Sequence, residues 1–170
     1  MKIFGIDPGL ASTGYGVVLH EKGKPVLIEY GCIGTSNAYS QGMRLERIGA
    51  ELRMLIGRHK PDHIAIEKLF FSKNVKTAMV VSEARGVAML VAQESKVPVV
   101  EFTPPEVKQA VTSYGNAGKR EVQKMIALLF NLAGPPEPDD AADAVALAYC
   151  CVQNLLYRRS HSTNGAIPRV

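Results

Sequence analysis

The sequence predicts an α/β fold: a mixed five-stranded sheet with helices on both faces. Three observations predict it. Residues 2–34 hold three short apolar runs separated by turns marked with glycine and proline, the pattern of an antiparallel meander. Two further runs, HIAIE (63–67) and VPVVEF (97–102), each follow a segment of helical periodicity, as parallel strands joined by crossover helices do. Everything from Pro104 onward reads as helix, loop or polar tail.

Taken in order, KIFGID (2–7) is a buried strand, and PGLASTG turns the chain at Pro8, Gly9 and Gly14. YGVVLH (15–20) is the second strand, Gly23-Lys24-Pro25 a turn, and VLIEYGCIG (26–34) the third strand. A helix is expected over 41–59. Ser40 stands at its N-cap, and Leu45, Ile48, Leu52, Leu55 and Ile56 share one face. After the fourth strand, HIAIE, a second helix over 75–95 carries Val80, Ala84, Val87, Ala88 and Val91 on one stripe. VPVVEF is the fifth strand. Pro104 and Pro105 open a short helix that SYGNAG (113–118) breaks. Residues 119–132 are helical, GPPEP (134–138) is a stiff loop, and the last helix runs from Asp139 to about Tyr157. One domain, 1–157, is expected, with the acid-free segment 158–170 as a disordered tail.

Composition narrows the function classes. The chain has 170 residues, 46% of them hydrophobic, enough to bury a core. No apolar run approaches the ~18 residues of a membrane span. The first apolar run is too short for a secretory signal, so a cytoplasmic protein with no membrane partner is expected. Cys32, Cys150 and Cys151 have neither disulfide-framework nor zinc spacing, and the adjacent pair reads as small hydrophobes. His20, His59, His63 and His161 show no ligand spacing either. The net charge of +4 and pI near 9.0 point weakly to a polyanionic partner, and two bound divalent cations would double that charge.

Chemistry concentrates in the acids. Asp7 ends the first strand and Glu67 the fourth; if those strands are parallel neighbours, their carboxylates lie side by side. In DDAADA (139–144), Asp140 and Asp143 share a helix face, and the alanines between them let that helix approach a sheet closely. Four converging anions need cations. An all-oxygen donor set without Cys or His favours magnesium, with manganese as a substitute. Two such ions can clamp a phosphodiester for in-line attack by water. Taken singly, each acid has an ordinary structural reading: Asp7 as a turn residue, Glu67 as a solvated strand end, Asp139 and Asp140 as helix caps. For Asp139 the capping role is the preferred one.

The blocks GIDPG-x4-TGYGV (5–17), AIEKLFFSKN (65–74), SEARG (82–86), VKQAVTSYGNAGKREVQ (107–123) and DDAADAVALA (139–148) resemble the RuvC family of crossover junction endonucleases. The resemblance covers residues 2 to about 155. It implies a ribonuclease H-like fold and a homodimer that makes paired symmetric nicks in a Holliday (four-way) DNA junction, with two magnesium ions per site. It carries the catalytic and metal-binding roles onto Asp7, Glu67, Asp140 and Asp143, and a catalytic role onto Lys119. Phe70 falls in the loop that stacks on an unpaired base, with Phe71 as its rival. Lys108, Lys119 and Arg120 match basic positions near the phosphates, and Lys73 and Lys76 lie where they can meet the DNA backbone. The 75–95 helix is the expected dimer interface, although its stripe suits an intramolecular core equally. The family also works beside a branch-migration complex, RuvA with RuvB. Three other readings stay open at the level of sequence. They are a nuclease of the same fold acting on ribosomal RNA precursors, a nucleotide-binding module with an actin-like phosphate loop, and a non-catalytic junction-binding protein.

Overall fold

Alternation along the first strand sets the architecture. In β1 (Lys2–Asp7), Ile3 and Gly5 face one side and Phe4 and Ile6 the other, and all four are buried. A strand buried on both sides requires a sheet covered on both faces. The computed structural model describes residues 1–68 and 75–162, with the side chains of 75–77 and 162 outside that description. β2 (Ser12–Glu21) and β3 (Lys24–Gly34) complete an antiparallel meander. β4 (His63–Glu67) lies parallel to β1, and β5 (Val99–Phe102) parallel to β4. The sheet order is β3-β2-β1-β4-β5, the mixed five-stranded sheet that the sequence predicts.

One face is covered by α1 (Gln41–His59) and α2 (Val75–Glu94). There Phe4, Ile6, Val17, Ile64 and Ile66 pack with Ile48, Leu52, Ala84, Ala88 and Val91. The other face is covered by α5 (Asp139–Ser162), with α3 (Pro104–Thr112) and α4 (Lys119–Leu129) packed beside it. Ser40 caps α1 by accepting from the Met43 amide, as expected. Cys150 and Cys151 are buried among apolar neighbours, and burial pushes both thiols up to about 12, so neither is a ready thiolate. Among the described residues, no helix is long and apolar enough to cross a membrane.

The structure moves four boundaries. β2 starts at Ser12, inside the expected turn, because the Thr13 hydroxyl donates to the Gly9 carbonyl (2.7 Å) and closes a tighter loop, pairing Asp7 with Gly14. The β2–β3 turn sits at Lys22-Gly23, whose φ values of 50° and 78° suit a twisted hairpin, so Lys24 and Pro25 already belong to β3. α4 ends at Leu129, and Asn131 turns left-handed (φ 52°) soon after. The expected tail at 158–170 is corrected at its start: α5 continues through Ser162. Tyr157 stacks on His161 (3.9 Å between centroids), and the Tyr157 carbonyl meets His161 Nδ1 at 2.8 Å, contacts one helical turn apart. The rest of that segment lies outside the described residues. The α2 stripe also resolves: Ala84, Ala88 and Val91 are fully buried, so it belongs to the core. An interface on α2 would have to use the opposite side.

Candidate active site

Strand alternation puts Asp7 on the same side of the sheet as Ile3 and Gly5, facing α5, and Glu67 on the same side as Ala65. Because β1 and β4 are parallel neighbours with Ile6 opposite Ile66, the two acids leave adjacent strand ends. α5 then crosses these strands at very short range. A Cβ on Gly5 would lie 2.0 Å from the Ala144 carbonyl oxygen, and one on Gly14 only 1.9 Å from that of Asp140. Glycine is therefore required at both places by close backbone approach. That approach brings Asp140 and Asp143, on one face of α5, to the ends of β1 and β4.

The electrostatics record this crowding. Burial first, then Asp143, Glu67 and Asp140, push the Asp7 carboxyl up to about 7. Burial and Asp143 raise Glu67. Burial also raises Asp143, against the pull of Lys119. Lys119, the first residue of α4, places its ammonium 3.1 Å from Asp143 and 3.2 Å from Asp139. Asp139 also accepts from Gln123 (2.8 Å) and is held below the usual carboxylate range by these two partners. Asp139 thus clasps α4 to α5.

Among the described residues, no three acidic, His or Cys side chains stand close enough together to hold an ion as they are. The lysine ammonium is the counter-ion of Asp143 in this conformation. The chemistry of the donor set still fits a hard divalent cation: four carboxylates, all-oxygen, with the most buried of them disfavoured as a bare anion.

Beside the acids lies a cavity of about 180 Å³ lined by Glu67, Lys108, Lys119 and Asp143, with Pro104 and Val107 among its apolar walls. Lys108 pulls against the rise of Glu67. Arg120 is exposed next to Lys119 at the start of α4. The structure thus gathers Asp7, Glu67, Lys108, Lys119, Asp140 and Asp143 around one end of the sheet. Phe70, its rival Phe71, and Lys73 lie outside the described residues, and Lys76 lies in α2 with its side chain outside them. One contact escaped sequence reasoning: Arg85 Nε donates to the Glu67 carbonyl at 3.2 Å, and the same guanidinium pairs with Glu101. The available signal was an arginine directly after the buried Ala84, on a helix whose apolar stripe faces the sheet.

With this geometry in hand, comparison with known proteins is decisive. The family model described as crossover junction endodeoxyribonuclease RuvC matches residues 3–151. The chain belongs to the RuvC family. The crossover junction endodeoxyribonuclease RuvC of Pelotomaculum thermopropionicum is 45% identical over 159 residues, covering 94% of this chain and 97% of that one. The Thermus thermophilus RuvC structure superposes with a TM-score of 0.84 at 34% identity, covering 95% of this chain and 97% of that one. T. thermophilus RuvC in complex with a Holliday junction substrate gives 0.83 at 32% identity, covering 94% and 96%. The ribonuclease H-like resolvase fold is therefore that of this chain, and the protein is an endodeoxyribonuclease of the crossover-junction class.

Proposed function

We propose that the protein resolves four-way DNA junctions by paired symmetric nicks, using divalent cations held by Asp7, Glu67, Asp140 and Asp143. The observation that carries this reading is the approach of four carboxylates to one sheet end, with Asp7 pushed up to about 7 by burial and then by Asp143, Glu67 and Asp140. Magnesium is the ion the donor chemistry favours, with manganese as a substitute and two ions per site. When bound, such ions activate water and stabilise the charge on the leaving oxygen of an in-line displacement.

The chain's own residues have separable roles. The carboxylates of β1 and β4 are carried by sheet register and those of α5 by glycine-mediated docking, so the donors approach one strand end from two directions. Lys119 is the cation nearest Asp143. Lining the cavity beside the acids, its ammonium would offset charge on a phosphate held there. Lys108, across the cavity, and the exposed Arg120 offer phosphate contacts. The stacking role of Phe70 and the backbone contacts of Lys73 and Lys76 rest on the family resemblance.

A junction has near two-fold symmetry and each site cuts one strand, so a C2 homodimer supplies the second site. The outward side of α2 supports this arrangement: Met79 is 62% exposed, Leu90 55%, and Gly86 between them leaves open space. Cooperation with the RuvA-RuvB complex and a cytoplasmic setting belong to the same reading.

The test compares a labelled synthetic four-way junction with its linear duplex, with and without magnesium. Paired nicks in the junction alone, and only with the metal, are expected. Binding without cutting in both magnesium and manganese would leave a non-catalytic junction binder. Cleavage of structured RNA in preference to the junction would establish the ribosomal-RNA reading.

A further inference from the structure

The end of β4 is held in an unusual way. The β1–β4 register stops at Ile6–Ile66, one residue short of Glu67, so β1 does not extend alongside the catalytic acid. On the β5 side the ladder continues, with Glu67 opposite Phe102 and the Lys68 amide donating to the Phe102 carbonyl at 2.8 Å. The Glu67 carbonyl is instead bound from α2, by Arg85 Nε at 3.2 Å. The same guanidinium pairs with Glu101, which stands opposite Ile66 on β5. Arg85 is only 18% exposed, directly after the fully buried Ala84. Its fork thus ties three elements together at the residue that presents Glu67 to the site.

We infer that Arg85 is a positioning residue for Glu67: it fixes the main chain of β4 from the face opposite α5, so that the Glu67 carboxylate is presented across the sheet to Asp7 and Asp143. It acts through the main chain of Glu67 and the carboxylate of Glu101. Arginine is required because two acceptors, a carbonyl and a carboxylate, must be met at once by a planar group with several fixed donors; an ammonium is a single point charge. The consequence also reaches α2. Arg85 lies between Met79 and Leu90 in sequence, the exposed residues of the proposed interface, so the guanidinium links that helix directly to a catalytic strand end.

This inference rests on the proposed role of Glu67, and its test separates the two. Three variants of the full chain are compared with the wild type: Arg85→Lys, Glu101→Gln and, as a surface ion-pair control, Arg53→Ala. Arg53 pairs with Glu94 at 2.9 Å, with both side chains about half exposed. Single-turnover junction cleavage, junction affinity, melting temperature and the Mn2+ concentration at half-maximal rate are measured for each, with direct Mn2+ titration as a readout independent of cleavage. Arg85→Lys is expected to lose about 10- to 100-fold in cleavage rate, as misplacing a reacting group by an ångström does. Its junction affinity should stay within about twofold, with a weaker Mn2+ response. Glu101→Gln, which keeps the bond to the Glu67 carbonyl, is expected to lose less than Arg85→Lys, and Arg53→Ala nothing. Wild-type cleavage by Arg85→Lys would overturn the inference. So would a loss of rate matched by loss of junction binding and melting temperature, which would make the role merely structural. If Glu67→Gln cleaves normally while Arg85→Lys is slow, the role of Glu67 fails and Arg85 acts elsewhere.

Discussion

The two faces of the sheet solve different problems with the same strands. Under α1 and α2 the strands present large side chains, and Phe4, Ile6, Ile64 and Ile66 interlock with Ile48, Leu52 and Val91 at full burial. Under α5 they present glycines, and the helix backbone descends until the Asp140 and Ala144 carbonyls touch the strands. The first face stabilises through buried area and tight packing. The second sacrifices side-chain volume at Gly5 and Gly14, and what it gains is position: Asp140 and Asp143 arrive at the strand ends where Asp7 and Glu67 project. Both sides of the sheet bury a hydrophobic core, but only the α5 side brings acids to the strand ends, so substitutions on the two sides should fail in different ways.

The largest separation is expected from Asp7→Asn. Cleavage should fall by about 10²–10³-fold, the scale of losing one group that stabilises developing charge, while junction binding persists. Rate and affinity measured on the same preparation check this, and loss of both together would indicate misfolding. On the opposite face, Leu52→Ala should cost about 2–5 kcal/mol in denaturant unfolding, yet leave cleavage per folded molecule unchanged. Gly14→Ala should do some of each. A methyl group there meets the Asp140 carbonyl, so unfolding should weaken by about 1–3 kcal/mol and cleavage should drop with it. The comparison sharpens against Gly57→Ala on α1, where open space surrounds the site and stability should rise by up to about 1 kcal/mol.

A pH dependence is expected as well. Asp7 sits at about 7 in the folded chain against an ordinary value of 3.8, so folding favours its protonated form. That contribution is complete below the unfolded value and is lost as pH rises toward and through 7. Glu67 and Asp143, also raised, act in the same direction. Metal-free protein should therefore melt lower at pH 8 than at pH 5, with Asp7→Asn flattening the difference. Magnesium should reverse it by favouring the anions.

Much of this was legible in the sequence because it is periodic. The antiparallel meander, the helix-separated fourth and fifth strands, the cap at Ser40, and the alanine-spaced pair Asp140 and Asp143 all follow from spacing and residue type. What was not legible depends on long-range contacts. Nothing local distinguishes a core stripe on α2 from an interface, since both need Ala84, Ala88 and Val91 apolar; only the sheet beneath decides. The engagement of Lys119 with Asp139 and Asp143 requires the α4–α5 packing, and the grip of Arg85 on the Glu67 carbonyl involves a main-chain atom with no sequence signature. The extension of α5 past Tyr157 turned on an aromatic–histidine pair one turn apart in a polar segment.

The central claim is that the docking of α5 on a glycine-lined sheet turns four separate carboxylates into one divalent-cation site. Titration of Mn2+ into the wild type and into Asp7→Asn and Asp143→Asn at neutral pH, without DNA, tests it most directly. Saturable binding to the wild type that is lost or strongly weakened in both variants is the predicted result. Equal binding in all three proteins would contradict the claim.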